Sequence, residues 1–111
     1  MKIESHRVGT VEVITPIGAL VDEDAEGFSR ELLDHLKTSS PRIVVSMNEV
    51  PYLDSVALEG FATAADELSD RAVRLKLAQV APTCREVLDL TGLADRLQFF
   101  EEVQDAVKSF L

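Results

Sequence analysis

The chain has 111 residues, of which 46% are hydrophobic and 28% are charged, and it contains no tryptophan. At this length one hydrophobic core can bury about two-thirds of the unfolded surface, and the composition is typical of a folded globular domain. Eleven basic residues stand against twenty acidic ones, which gives a formal net charge of −9 and excludes the positive surface that nucleic-acid binding requires. The acidity is explained by solubility more simply than by an acidic docking face.

The N-terminal segment, residues 1–13, mixes charged residues with single apolar ones and lacks the continuous apolar stretch of a secretory signal or membrane span. We therefore expect a cytoplasmic protein that does not insert into membranes. Cys84 is the only cysteine, so an intramolecular disulfide and a thiolate metal cluster are both excluded. Nothing in the composition requires a cofactor for folding.

The first half of the chain predicts strands separated by a helix. Residues 8–15 alternate as in a strand that ends at Pro16 and Gly18, and a weaker strand signal lies around Ile3. A helix over residues 22–37, with acids in its first turn, is predicted by four apolar residues at helical spacing: Ala25, Phe28, Leu32 and Leu36. The continuous β-branched run at residues 43–45 predicts a strand in the middle of the sheet.

The second half repeats this alternation. A second helix begins near Asp54 or Ser55, either of which can cap it, and a strand follows over residues 73–77. Pro82 opens a third helix, with Val87 and Leu88 inward, that Gly92 ends. A short strand including Leu97 and Phe99 and a final helix are predicted next, the helix from four apolar residues: Val103, Ala106, Val107 and Phe110.

Alternating strands and helices predict an α/β fold. We expect one domain, residues 1–111, with a mixed or parallel sheet of four or five strands and about four helices. The sequence contains no repeat or linker that would divide it.

The candidate catalytic residues are sparse. His6 and His35 lie far apart in the sequence, and the chain has no metal-binding, phosphate-loop or nucleophile-elbow motif. We therefore predict no enzymatic activity, no catalytic residue, no metal and no cofactor. Cys84 lies in the first turn of the third helix, where a thiol can become reactive, but burial as a small apolar side chain is the favoured interpretation.

An acid after the central strand, Asp54, is also typical of a receiver domain. A receiver needs two further acids after its first strand to hold magnesium and a lysine after its last. Here Pro16, Ile17 and Gly18 follow the first strand, so the receiver hypothesis fails.

The segment Leu53-Asp54-Ser55 has two interpretations. A serine in the first turn of a helix presents its hydroxyl to solvent beside unpaired backbone N–H groups, where a phosphate would be stabilised. The simpler interpretation is a helix cap, which contributes about 1 kcal/mol. On spacing alone the cap is favoured.

Two stretches of the chain resemble the STAS family, which includes the bacterial anti-sigma factor antagonists. Residues 43–55 are similar to the family's apolar strand, polar turn and Leu/Met-Asp-Ser helix start, and here read IVVSMNEVPYLDS. Residues 80–93 are similar to its strand end, proline and helix ending, which in this chain is Leu90-Thr91-Gly92-Leu93. The resemblance extends over nearly the whole chain.

In that family, a partner anti-sigma factor kinase phosphorylates the serine that follows the aspartate. The resemblance implies that Ser55 is that serine, and that the unphosphorylated protein binds the kinase and frees a sigma factor. Phosphorylation would add about 1.5 to 2 negative charges and break the complex. The implied docking surface comprises the loop at residues 18–24 and the start of the second helix, with these partner-binding residues: Asp22, Asp24, Asp54, Ser55, Val56, Ala57 and Glu59.

The chain departs from the antagonist pattern at two places. Residues 56–59 read VALE where antagonists usually have Ser/Thr-Gly-Leu-Gly, so Ala57 and Glu59 are expected to add bulk and charge there. Residues 18–21 read GALV where antagonists often have Gly-Glu-Leu-Asp, and Asp22 comes one place later. Both changes predict an altered partner surface.

These departures motivate an alternative function, that of a constitutive STAS subunit of a lipid-transport ATPase complex or of a signalling scaffold. Ser55 would then be a helix cap only. A third function, the binding of a small ligand or nucleotide, is implied only by the resemblance. No residue pattern favours it, because the sequence has no phosphate loop or aromatic stacking pair. An exposed face of the second helix leaves a homodimer as an alternative that the sequence neither predicts nor excludes.

Overall fold

The predicted alternation of strands and helices forms one five-stranded sheet in the computed structural model, which describes residues 1–37 and 41–111. The strands lie side by side in chain order. They are β1 (Lys2–Val8), β2 (Val11–Ile17), β3 (Ile43–Ser46), β4 (Leu75–Ala78) and β5 (Leu97–Phe100). The first two strands pair antiparallel, and every later pair is parallel. The sheet is therefore mixed, with β3 at its centre as predicted.

Four α-helices connect or follow these strands. They are α1 (Asp22–Leu36), α2 (Ser55–Ser69), α3 (Pro82–Leu90) and α4 (Val103–Lys108). A short 3-10 helix, Leu93–Arg96, precedes β5. None of the helices in the described part of the chain is long and apolar enough to cross a bilayer. The α/β class, five strands and four helices confirm the predicted fold.

The two faces of the sheet are covered differently, because neighbouring strand residues point to opposite sides. The first face carries the main core, in which α1, α2 and α3 pack on residues such as Val45 and Leu77. The second face carries a smaller cluster under α4, whose buried members are Val11, Val13, Val44, Ala78 and Ala106.

Close contact between α1 and α2 fixes the first face. The rings of Phe28 and Phe61 meet edge to face with their centroids 5.9 Å apart. Gly60 faces Ser29, and a Cβ atom at Gly60 would lie 1.9 Å from the Ser29 Oγ and 2.8 Å from its Cβ. The two helices therefore approach as closely as they do because residue 60 has no side chain.

Two strands have ends that differ from the sequence prediction. The strand expected over residues 8–15 runs from Val11 to Ile17. It starts later because Gly9 adopts a left-handed φ of 63° in the turn of the β1–β2 hairpin, and it continues through Pro16, which lies opposite Ile3 of β1. The strand expected from Val73 starts at Leu75, because Val73 still donates its N–H to the Leu68 carbonyl and so closes the end of α2. The weak signal near Ile3 corresponds to a full strand.

Candidate functional site at the paired helix starts

The candidate site lies at the carboxyl edge of the parallel strands, where the segments after β2 and β3 run side by side. Leu20 and Leu53 form an isolated parallel bridge. The Leu20 N–H donates to the Tyr52 carbonyl at 3.1 Å, and the Asp54 N–H donates to the Leu20 carbonyl at 3.1 Å. This bridge brings the first turns of α1 and α2 together at one edge.

Asp54 joins the two helix starts through its carboxylate. Its Oδ1 accepts the Ala57 N–H at 3.1 Å and so caps α2, while its Oδ2 accepts the Asp22 N–H at 2.8 Å. The bond from the Asp22 amide, with further amide bonds at the start of α2, lowers the pKa of Asp54 below its ordinary value, although partial desolvation opposes the change. Of the two caps that the sequence allowed, Asp54 and Ser55, Asp54 is therefore the one used, and it also holds α1.

Asp22 adopts a left-handed backbone conformation, with a φ of 49°. Aspartate tolerates this left-handed region better than most residues, but residues other than glycine seldom adopt it. The Asp54 bond to the Asp22 amide helps to hold it. Asp22, Glu23 and Asp24 are exposed in the first turn of α1, and Asp24 also pairs with the Met1 ammonium at 3.0 Å.

Ser55 is exposed and is the first residue of α2, directly after the cap. Within residues 1–37 and 41–111, no protein group hydrogen-bonds its hydroxyl. Glu59 is exposed one turn further along, on the same side of the helix as Ser55. Val56 is half-buried beside them. The exposed hydroxyl therefore lies next to an ionised carboxylate, with a second acid one turn away.

The structure corrects the predicted partner surface at Ala57, which is buried. Its side chain is 1% exposed and belongs to the main core, because it lies on the inward stripe of α2 with Phe61 and Leu68. The extra methyl group relative to glycine therefore adds no bulk on the surface of the domain. The change that a partner would meet lies at Val56 and Glu59.

Two features of the site were not assigned a role from sequence. Tyr52 is 56% exposed in the loop before Asp54. Thr83, in the first turn of α3, donates its hydroxyl to the Pro51 carbonyl at 2.9 Å and so fastens the same loop. The Pro51-Tyr52 pair, between a buried strand and a capped helix, is a sequence signal that could have predicted an exposed loop. The contact of Thr83 with Pro51 joins residues 32 positions apart, so it depends on the tertiary fold and could not be predicted from local sequence.

The remaining candidates from sequence lie elsewhere. His6 is exposed on β1, and His35 is half-buried in the last turn of α1. Cys84 is buried, and burial raises the pKa of its thiol, so the interpretation as a small apolar side chain is confirmed. Its Sγ donates weakly to the Val50 carbonyl at 3.7 Å, so Cys84 packs against the start of the loop that leads to Asp54.

The family model of the STAS domain matches residues 2–106. The chain therefore belongs to the STAS domain family, as the two stretches of sequence indicated. No protein of curated function matches the sequence significantly.

Solved structures with the same fold come from bacteria and from a mammal. A candidate anti-sigma factor antagonist of Thermotoga maritima superposes with a TM-score of 0.87 at 20% identity, over 96% of this chain and 92% of that one. The Bacillus cell fate determinant SpoIIAA in its phosphorylated form gives 0.74 at 18% identity, over 99% and 100% of the two chains. The murine anion transporter Slc26a9 gives 0.75 at 16% identity, over 92% of this chain but 18% of the transporter.

Proposed function

We propose that this protein is a cytoplasmic partner-switching regulator of the anti-sigma factor antagonist type, whose partner is an anti-sigma factor serine kinase and whose switch is phosphorylation of Ser55. It carries out no chemistry of its own. The observation that carries the proposal is the exposed Ser55 hydroxyl, unpaired within the described residues, at the start of a helix whose cap is already supplied by Asp54.

The different hydrogen bonding of Asp54 and Ser55 supports this role. If Ser55 were the cap, its oxygen would accept a bond from the α2 backbone and would be occupied. Asp54 takes that role, so the serine hydroxyl is available to a kinase. SpoIIAA, which has the same fold, is an anti-sigma factor antagonist that has been solved in unphosphorylated and phosphorylated forms.

The charge around Ser55 supplies a reason for release. A phosphate there would add about 1.5 to 2 negative charges beside the ionised Asp54 and at the same edge as the exposed Asp22 and Asp24. The dipole of α2 would stabilise the phosphate within the free protein. A partner surface that complements the unphosphorylated edge would instead meet excess negative charge and a bulkier group, so the phosphorylated complex dissociates.

The proposed contact surface comprises Ser55, Val56 and Glu59 on α2 with Asp22 and Asp24 on α1. Tyr52 adds an exposed aromatic ring beside it, the type of side chain that often anchors a protein interface. Asp54 supports this surface from within by holding both helix starts.

Affinity purification from the native cell tests the proposal, with bound proteins identified by mass spectrometry. We expect an ATP-binding serine kinase to be captured by the wild type and by Ser55→Ala and to be lost with Ser55→Glu. The matched control is Ser69→Glu, which adds the same charge to an exposed serine at the far end of α2. Equal capture of the kinase by the two Glu variants would contradict the proposal.

A second candidate function is a constitutive STAS subunit of a transporter or signalling scaffold, with Ser55 unmodified. Glu59 favours it, because an acid one turn after Ser55 already places a negative charge where a switch would add one. The presence of this fold within Slc26a9 also favours it. Under this hypothesis Ser55→Ala and Ser55→Glu both complement a deletion fully and bind the same transporter or scaffold proteins, whereas under the switch hypothesis they behave differently.

A further inference from the structure

A lysine is buried on the second face of the sheet. Lys76 lies in the middle of β4 and is 8% exposed, between the sheet and α4. Its neighbours on the same face include the apolar side chains of Val44 and Ala78. A charged side chain thus lies among largely apolar neighbours.

The contacts of Lys76 come largely from the C-terminal segment. Its Nζ donates to the Ser109 Oγ at 2.5 Å and lies 3.9 Å from the centre of the Phe110 ring, with the Phe100 ring centre at 5.7 Å. The Ser109 hydroxyl in turn donates to the Ala106 carbonyl at 2.5 Å. The ammonium group is therefore enclosed by the end of α4 and the residues after it.

These contacts compensate the buried charge only in part. An ammonium group has three donors, and one hydroxyl oxygen accepts from it here. The charged residues on the elements around it are Asp105 and Lys108 on α4, with Glu101 and Glu102 before that helix, and all four are exposed. In residues 1–37 and 41–111, none of them forms an ion pair with Lys76. Desolvation accordingly lowers the pKa of Lys76.

The helix over Lys76 is short. It has six residues, and it follows β5 after a two-residue exposed connection, Glu101 and Glu102. A helix of this length has little stability of its own and depends on its packing. Its one fully buried side chain is that of Ala106, while Val103 and Val107 are half-buried.

We propose that α4 is a latch that opens without unfolding of the rest of the domain, and that burial of the Lys76 ammonium sets how often it opens. Opening returns the ammonium to water and exposes the apolar second face of the sheet, which includes Val11, Val13 and Val44. The three helices on the first face are expected to keep their contacts, since α4 packs against β3, β4 and β5 from the opposite face of the sheet. The latch is independent of phosphorylation at Ser55.

Hydrogen–deuterium exchange of the whole chain, followed by mass spectrometry, tests this proposal. In the wild type we expect the amides of residues 103–110 to exchange through a local opening, well before those of β3. Lys76→Met keeps a long unbranched side chain and removes the desolvation cost of the buried charge, so we expect it to slow exchange of that segment about tenfold. Exchange in β3 should change far less. Lys108→Met is the matched control, because it removes an exposed lysine that favours the helix dipole in the last turn of α4 and so should not slow exchange.

Three results would overturn the latch. The first is exchange of residues 103–110 only together with β3 in the wild type. The second is an equal effect of Lys76→Met on exchange of residues 103–110 and of β3. The third is faster exchange of residues 103–110 in Lys76→Met than in the wild type, since the contacts of Lys76 with the aromatic rings and the Ser109 hydroxyl would then stabilise the closed helix by more than the buried charge destabilises it. Ser109→Ala provides an independent measurement, with exchange of the segment expected to rise a few-fold because the ammonium loses its acceptor.

Discussion

The two faces of the sheet are covered by helices of different length, through interfaces of different composition. The first face is covered by helices of 15, 15 and 9 residues through an apolar interface, with Gly60 allowing close approach. The second is covered by a helix of six residues over a buried lysine. The first face therefore supports the candidate docking edge with the larger apolar core, whereas we infer from the short helix and the buried lysine that the second face is less firmly closed.

The largest difference between the faces is expected from truncating one apolar side chain on each. Leu32→Ala should lower the free energy of unfolding by about 2–5 kcal/mol, because Leu32 is fully buried under the sheet and its loss leaves a cavity. Val107→Ala should cost less than about 1.5 kcal/mol, because the methyl groups that it removes from α4 are only half-buried. Urea denaturation of both variants measures this, and equal losses would remove the distinction between the faces.

A second test concerns the close approach of α1 and α2. Gly60→Ala should destabilise the domain by about 1–3 kcal/mol, because the added methyl group overlaps Ser29 and forces the helices apart. Gly27→Ala is the matched control on α1, since its added Cβ meets no atom within 4 Å, and helix propensity should stabilise it by about 0.5–1 kcal/mol. Ser29→Gly should restore part of the stability lost in Gly60→Ala. A Gly60→Ala protein as stable as Gly27→Ala would contradict this packing.

A smaller effect is expected at the edge that the first face supports. Since the pKa of Asp54 is lowered in the folded protein, its ionisation stabilises the fold above the ordinary value of 3.8, and this stabilisation is lost as the pH falls through the lowered pKa. Asp54→Asn should therefore lower the urea midpoint at pH 7, and the difference from wild type should shrink as the pH falls below about 4.

The control for this prediction is Glu23→Gln, which removes one exposed acid from the neighbouring helix start. Its urea midpoint at pH 7 should stay close to that of the wild type. A constant difference between Asp54→Asn and wild type from pH 7 to pH 3 would show that ionisation of Asp54 does not stabilise the paired helix starts.

The strands and helices with strong hydrophobic periodicity could be predicted from sequence, and β1 shows where that signal fails. Of its seven residues only Ile3 is not exposed, so no apolar alternation marks it. Its structure depends on pairing with β2 along its whole length, which is a tertiary feature. Likewise, Lys76 alternates with two leucines as an exposed residue would, and only the docking of α4 buries it.

The candidate site was predictable in part. Helix-start chemistry predicted a cap at Asp54 or Ser55 without choosing between them, and burial of Ala57 could have been inferred from its place four residues before Phe61 on the apolar stripe. The second bond of Asp54, to the Asp22 amide, joins positions 32 residues apart and requires the two loops to lie side by side. No local pattern encodes that contact.

The most direct test of the central claim is the affinity of the purified partner kinase for the protein carrying phosphoserine at position 55, compared with the unmodified protein. The account predicts binding weaker by at least about fivefold, because about two negative charges enter an interface that already contains the exposed Asp22 and Asp24 and lies beside the ionised Asp54. Affinities within about twofold of each other would contradict the switch and would leave Ser55 as a surface residue of a constitutive binding domain.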